Sequence, residues 1–427
     1  MKQLFSPFTY VVIYVAMWHL RLHEYPDTPI EFPILTVLQA IFLLLWVAQA
    51  PHKLDVPHVV LLPLLLFSMF VSTITNGWAG GVVEVFNRFV PTILCFFMIA
   101  GTADSLKRLN LLAWTVSLAL FVISLHGILE SQTGVGWSGA SVVEGSRITY
   151  VGLLADPNDL GMALLMALPM QIYLLGTTRR VLLRLLLVVC IGATLWSTYL
   201  TNSRGAVLGL AAMSVYLIFK RYGTAKAMLV APILIGALVA AGPGRIDDMS
   251  ADEDSAAGRV DAWYAGFDMF KERPLFGVGM GNFVEHHSLT AHNSFVLALA
   301  ELGVVGYFMW LALLALSIMM IRQIINLEAP GELSIPSAEL DDWRAHQRFA
   351  SALLYTLIAY MVTAFFLSRS YVPMLYMTYG LCAGLDMTVR KRWPSVPAVR
   401  LGHLWSKLLL LEVGSIVALR IAVRLLL

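Results

Sequence analysis

His292 and Asn293 stand at the head of a long apolar run, TAHNSFVLALAELGVVGYF. Histidine is the side chain whose ordinary pKa lets it take and return a proton near neutral pH. The plain alternative is a polar residue beside a helix cap, for Asn293 or Ser294 can offer an oxygen to the first free backbone N–H groups. Arg147, Arg204 and Arg259 each fall beside a helix end or a loop helix. A guanidinium fork matches two phosphate oxygens, and the alternatives are snorkelling to water or pairing with a carboxylate. The run RITYVGLLADPNDLGMALLM sets Asp156, Asn158 and Asp159 a turn or two inside the end of an expected helix. Pro157 opens or kinks the helix there. Ionisable groups at that depth face a cavity or a partner. They therefore either line the same cavity as Arg147 or form a structural break in which Asp156 pairs with an arginine.

The elements that must position these groups are apolar. The chain has 427 residues, 59% of them hydrophobic and 13% charged, with a mean hydropathy of +0.76. A soluble domain carries about a quarter charged residues, and runs of roughly 17–25 apolar residues cross a bilayer as helices. The fold class is an all-α polytopic membrane protein. Twelve helices are expected near 8–20, 33–50, 57–75, 83–101, 109–130, 151–176, 181–200, 204–219, 227–242, 292–321, 349–368 and 371–389. The first run is read as a retained helix rather than a cleavable signal peptide. The tail from Ser406 to Leu427, studded with Lys407, Glu412, Arg420 and Arg424, suits an amphipathic helix lying on the membrane.

Basic residues orient the bundle. With the N-terminus in the cytoplasm, one side collects Lys107, Arg108, Arg179, Arg180, Lys220, Arg221 and the cluster starting at Arg390. The other side keeps only Arg21, Arg147, Arg204, Arg245, Arg259, Lys271, Arg273 and Arg369. That puts both termini in the cytoplasm and His292 on the outer face. The outer side has two sizeable loops: a first of about 131–150, and a second of about 243–291, alone large enough to fold, in which GRVDAWYAGFDMF reads as a short amphipathic helix. Three divisions follow: 1–146, five helices and most of the first outer loop; 147–325, a core carrying loop 243–291; and 326–427, the last helices and a cytoplasmic tail.

Several patterns lead nowhere. The net charge of +2 gives no reason to expect nucleic acid. Cys95, Cys190 and Cys382 sit inside apolar runs without metal-ligand spacing. His286, His287 and His292 lack a well-placed carboxylate for a metal site. Asp252, Glu253 and Asp254 read as a solvated acidic loop. Gly277, Gly279 and Gly281 follow no βαβ strand, so they are tight turns rather than a dinucleotide loop.

Four segments occur in one order between about 147 and 308: RITYVGLLADPNDLG, TNSRGAVLGL, GRVDAWYAGFDMFKERPLFGVGMGNF and HNSFVLALAELGVVG. Together this stretch resembles the O-antigen ligase and polymerase family. The resemblance implies a membrane glycosyltransferase acting on the periplasmic face of a Gram-negative inner membrane. Its donor would be an undecaprenyl-diphosphate-linked glycan, with no nucleotide sugar, no metal and no cofactor. On it the family histidine falls on His292, two key arginines fall on Arg204 and Arg259, and Arg147 matches the basic residue before the DPN segment. His292 is then expected to act as base and the arginines to hold the diphosphate, with inversion at the anomeric carbon. Arg147, Asp156, Asn158 and Asn293 are expected to contact substrate.

The outer loop is smaller than in the family's ligases. That favours a polymerase of O-antigen or exopolysaccharide repeat units over a ligase that moves polymer to lipid A–core or protein. A transporter or flippase is the alternative from another class, but the polar residues cluster toward one face rather than at the midplane. Expected partners are the lipid-linked glycan, an acceptor glycan or lipid A–core, membrane lipids and other polysaccharide assembly proteins.

Overall fold

A computed structural model describes residues 6–25, 32–49, 53–240, 249–329 and 336–426. Fifteen α-helices occur among them: α1 Pro7–Leu20, α2 Ile34–Ala48, α3 His58–Thr75, α4 Gly81–Ala100, α5 Leu106–Thr133, α6 Pro157–Thr177, α7 Val181–Leu200, α8 Arg204–Tyr222, α9 Thr224–Ala240, α10 Met249–Glu272, α11 Phe283–His286, α12 Ser294–Asn326, α13 Ser337–Ala364, α14 Pro373–Arg392 and α15 Trp405–Leu426. Among the described residues there is no strand, only isolated bridges joining Val135 to Ser141 and Val143 to Arg147. Each of the twelve expected segments is helical. Seven helices (α3 to α8 and α12) are long and apolar enough to cross a membrane.

The bundle is held by apolar faces and a few buried polar ties. α14 packs on α4, α13 on α6 and α8, and α12 on α3 and α13. Trp310, Tyr307, Tyr360, Tyr376 and Phe96 are fully buried between them. His58 of α3 reaches Ser317 of α12 at 2.8 Å, and Thr356 of α13 donates to the Met166 carbonyl of α6 at 3.1 Å. Such ties matter in lipid, where a lone polar group has no water to turn to. Leu182, Leu410 and Leu229 are among the most exposed apolar side chains, as lipid-facing residues should be.

Several boundaries differ from expectation. α6 begins at Pro157 after a short 3-10 turn at Gly152–Leu154, because Pro157 suits the first helical position, where no N–H is needed. Asp156, Asn158 and Asp159 therefore sit at the helix mouth rather than inside it. The loop helix α10 is 24 residues long and takes in the acidic stretch expected to be loop; Gly242, Pro243, Gly244 and Arg245 lie outside the described residues. α13 starts about three turns earlier than expected, at Ser337.

The tail also differs. α15 runs antiparallel along α12. Gln323, near the foot of α12, donates to the Pro397 carbonyl just before α15, Tyr307 meets Ser415 at 3.0 Å, and Arg420 lies over the Tyr264 and Phe267 rings of α10. Twenty-two residues rise about 33 Å. The helix thus lies alongside α12, with Leu408, Glu412, Leu419 and Val423 buried and Leu410, Val413 and Leu425 exposed.

α12 is not continuous. Gly303 has φ 62° and ψ −168°, which breaks the helical ladder. The break is filled by residues 273–283, which return from α10. Val304 N–H donates to the Pro274 carbonyl and Val305 N–H to that of Leu275, while Val278 and Gly279 donate to Ala300 and Glu301. A Cβ at Gly303 would lie 2.5 Å from the Leu275 backbone, so glycine is required there on two counts. Non-helical backbone at this depth persists because protein covers it.

Candidate active site

The turn of residues 365–372, between α13 and α14, is the hub. It is tied to the mouth of α12 at four points. Thr290 meets the Ser368 hydroxyl at 2.8 Å, Ser294 donates to the Leu367 carbonyl, Arg369 N–H donates to Ser294 at 2.8 Å, and Ser370 donates to the Ser294 carbonyl at 2.7 Å. On its other flanks, Trp263 of α10 packs edge-on against Phe365 at 5.3 Å. Gly205, the second residue of α8, leaves only van der Waals room beside Phe366. The turn thus gathers the starts of α8 and α12, the body of α10 and, through Arg369, the start of α6.

His292 is half-buried between fully buried Ala291 and Asn293. Asn293 is the N-cap of α12, its Oδ1 accepting from Phe295 N–H at 2.9 Å and Val296 N–H at 3.2 Å. Its side chain is thereby committed to the cap on the oxygen side. His292 itself has φ 47°, a left-handed backbone that a non-glycine residue adopts at a cost of about 1 kcal/mol or more. Burial holds the His292 imidazole below its ordinary pKa. Arg259 adds to this, Asp156 opposes it, and Arg369 lowers it further. These contributions favour the neutral ring, the form that can accept a proton.

Arg369 makes a bidentate clasp on Asp159, which is 3% exposed on the first turn of α6. A third donor goes to the Ser368 carbonyl at 3.0 Å. Asp156 caps α6, accepting from Asn158 N–H at 2.7 Å, and remains exposed. The acid that pairs with arginine is thus Asp159 rather than Asp156.

Arg147 is buried, and its fork is spent on the fold. It donates to the Thr201 carbonyl at 3.0 Å, to Glu144 at 2.9 Å and to Asn158 at 2.9 Å. This strut ties the first outer loop to the starts of α6 and α8. Arg204 is exposed at the first position of α8, beneath a Ser203 cap. Arg259 is half-buried on α10, one turn before Trp263. His287 is bound to Asp261 at 3.1 Å, and that hydrogen bond raises its pKa.

Two groups were not picked out from the sequence. Arg369 stood among the outer cations without distinction, because nothing near it in the chain points to Asp159. Glu301 is buried at the break in α12, where Phe283 N–H approaches its carboxylate at 3.4 Å. The signal available for Glu301 was a lone carboxylate inside an apolar run.

The fold and site define a polytopic α-helical membrane protein with a histidine and arginine centre at one end of the bundle. Residues 186–311, from α7 to the middle of α12, match the family model described as O-antigen ligase. The match includes His292, Arg204 and Arg259; Arg147, Asp156, Asn158 and Arg369 lie beyond it. No curated protein matches the chain.

Proposed function

We propose that the protein is a periplasmic-face glycan transferase that polymerises surface polysaccharide repeat units from an undecaprenyl-diphosphate donor. The observation that carries the reading is a half-buried histidine in a left-handed backbone at the mouth of α12, where Arg259, Asp156 and Arg369 are the charges that act on it. His292 takes the proton of an acceptor hydroxyl as its oxygen attacks the anomeric carbon. The bond from that carbon to the diphosphate breaks, and the charge leaves on the diphosphate. Arg204 and Arg259 stabilise that charge, as a metal ion would elsewhere. One displacement inverts the anomeric centre. Arg147 and Asn158 act through each other as a brace, and Asn293 orients His292 by capping α12.

The excess of cations at the end opposite the site supports a periplasmic placement. The same sidedness puts the far end of α15 with the site, so the chain would end on the periplasmic side. The second reading is a ligase, favoured by the description of the matching family model. Both use the same site chemistry and differ in acceptor.

The test is reconstituted transfer with lipid-diphosphate-linked repeat units in the presence of EDTA. A ladder of lengthened glycans from the native protein supports the polymerase. Product only after lipid A–core is added makes it a ligase. Silence with both acceptors sinks the transferase reading.

A further inference from the structure

A cavity lies on one side of the hub. It is a cleft of about 610 Å³ between α1, α4, α6 and α14, lined among others by Trp18, Arg88, Thr92, Asp156, Asp159 and Arg369. The hub turn has two sides: Phe365 and Phe366 face α10 and α8, whereas Ser368, Arg369, Tyr371 and Val372 line the cleft. Building on the transferase reading, we propose that this cleft binds the acceptor sugar.

The charge pattern decides the class of ligand. Two guanidinium groups and two carboxylates line the cleft, and Arg369 is already clasped to Asp159. Arg88 leans on Glu84 at 2.5 Å but keeps 61% of its side chain exposed. A diphosphate entering here would meet Asp156 and Asp159 and would have to compete with them for the arginines. A neutral polyol meets no such penalty. Its hydroxyls accept from unspent guanidinium N–H groups and donate to carboxylate oxygens. Trp18 supplies apolar wall, and the Thr92 side chain adds a hydroxyl to the lining.

Position supports the same choice. Asp156 and Arg369 line the cleft and are also charges that His292 feels. A sugar held between them presents its hydroxyls beside the base. The anionic donor then approaches from the side of Arg204 and Arg259. Acceptor and leaving group come from opposite sides of the hub, as an in-line displacement requires.

The experiment uses the full-length reconstituted protein with the lipid-diphosphate-linked repeat unit as donor. The donor is capped at its non-reducing end so that it cannot accept. The acceptor is a repeat-unit glycan lacking the lipid diphosphate, or lipid A–core, whichever the native protein uses, and donor and acceptor are varied in turn. Arg88→Met keeps the apolar stem and removes the donors, and Met280→Trp narrows the cleft. The expected result is an acceptor KM raised on the order of tenfold or more in Arg88→Met, with donor KM unmoved, and a rise of the same kind in Met280→Trp. A rise in donor KM instead would make the cleft an anion site and overturn the proposal. Unchanged constants in both variants would overturn it as well, leaving the transferase reading intact. A native protein that transfers to neither acceptor would remove both readings together.

Discussion

Each end of the bundle buries an aspartate under an arginine, and the two clasps are built differently. At the site end Asp159 is held by Arg369, whose side chain stays 36% exposed beside the cleft and His292. At the opposite end Asp386 is held by Arg390 at 2.8 Å, and Arg390 is 13% exposed. Arg390 also donates to the Asp55 carboxylate and carbonyl, and Arg400 closes on Asp55 from outside. That network spends its donors on the protein. The site clasp also makes three bonds to protein, but its arginine stays open to the cleft and acts on His292. Backbone strain follows the same division. Among the described residues the non-glycine left-handed positions are Arg21, Glu144, Asn202 and His292, all at the site end. Strain and an arginine open to a cleft mark the end where a ligand is expected; an enclosed arginine marks the end that only holds the helices together.

The largest effect should come from removing the base. His292→Ala is expected to lower transfer by about 10²–10⁴-fold while the protein still inserts and keeps its melting temperature. Normal turnover by that variant in the reconstituted assay would return His292 to a residue beside a cap. The opposite end should respond the other way round. Arg390→Met leaves Asp386 buried without its partner, which costs about 3 kcal/mol or more. Thermal unfolding in detergent should show the loss, and kcat/KM measured below the transition should stay at the native value. A fall in kcat/KM there would erase the distinction between the ends.

Much of this was legible in the chain. The helices follow from apolar runs bounded by Pro, Gly and Asn, and the Asn293 cap follows from its place before the run. His292 and Arg204 could be singled out because each falls at a segment end, and Arg259 because it stands at the start of the expected loop helix; in the structure it lies in the body of α10. What the sequence hid is what depends on contacts far apart in the chain. Arg369 and Asp159 are separated by 210 positions. The break at Gly303 exists only because residues 273–283 dock into it, so α12 reads as one uninterrupted helix. α15 carries three charged residues after its first turn, which suggests a surface helix until α12 and α10 are seen to cover it. Arg147 looked like a substrate ligand because two of its three acceptors, the Thr201 carbonyl and Asn158, lie well away from it in the chain.

A smaller effect separates charge from geometry at the donor side. Arg204→Lys and Arg259→Lys keep the cation but lose the planar fork. Each is expected to lower kcat on the order of tenfold, with little change in unfolding temperature. Full activity in both variants would remove the diphosphate clamp, and an equal loss of stability would make these arginines resemble Arg390.

The smallest effect is a movement of the pH profile. Only the neutral imidazole can accept a proton, so transfer should fall as pH drops through the pKa of His292. That pKa is held below the ordinary histidine value, first by burial and then by Arg259 and Arg369, with Asp156 pulling the other way. Replacing Arg259 by Gln removes a positive charge that disfavours the imidazolium. The pKa must then rise, and the acid limb of kcat/KM must move to higher pH. Asp156→Asn removes the opposing charge, so its acid limb must move to lower pH. At the other end Arg400→Gln alters a charge in the Asp55 network and should leave the limb where it is. Opposite displacements for Arg259→Gln and Asp156→Asn would tie the titration to His292, because burial alone moves the limb in one direction only. A limb that ignores both substitutions would mean that another group sets the acid side of the reaction.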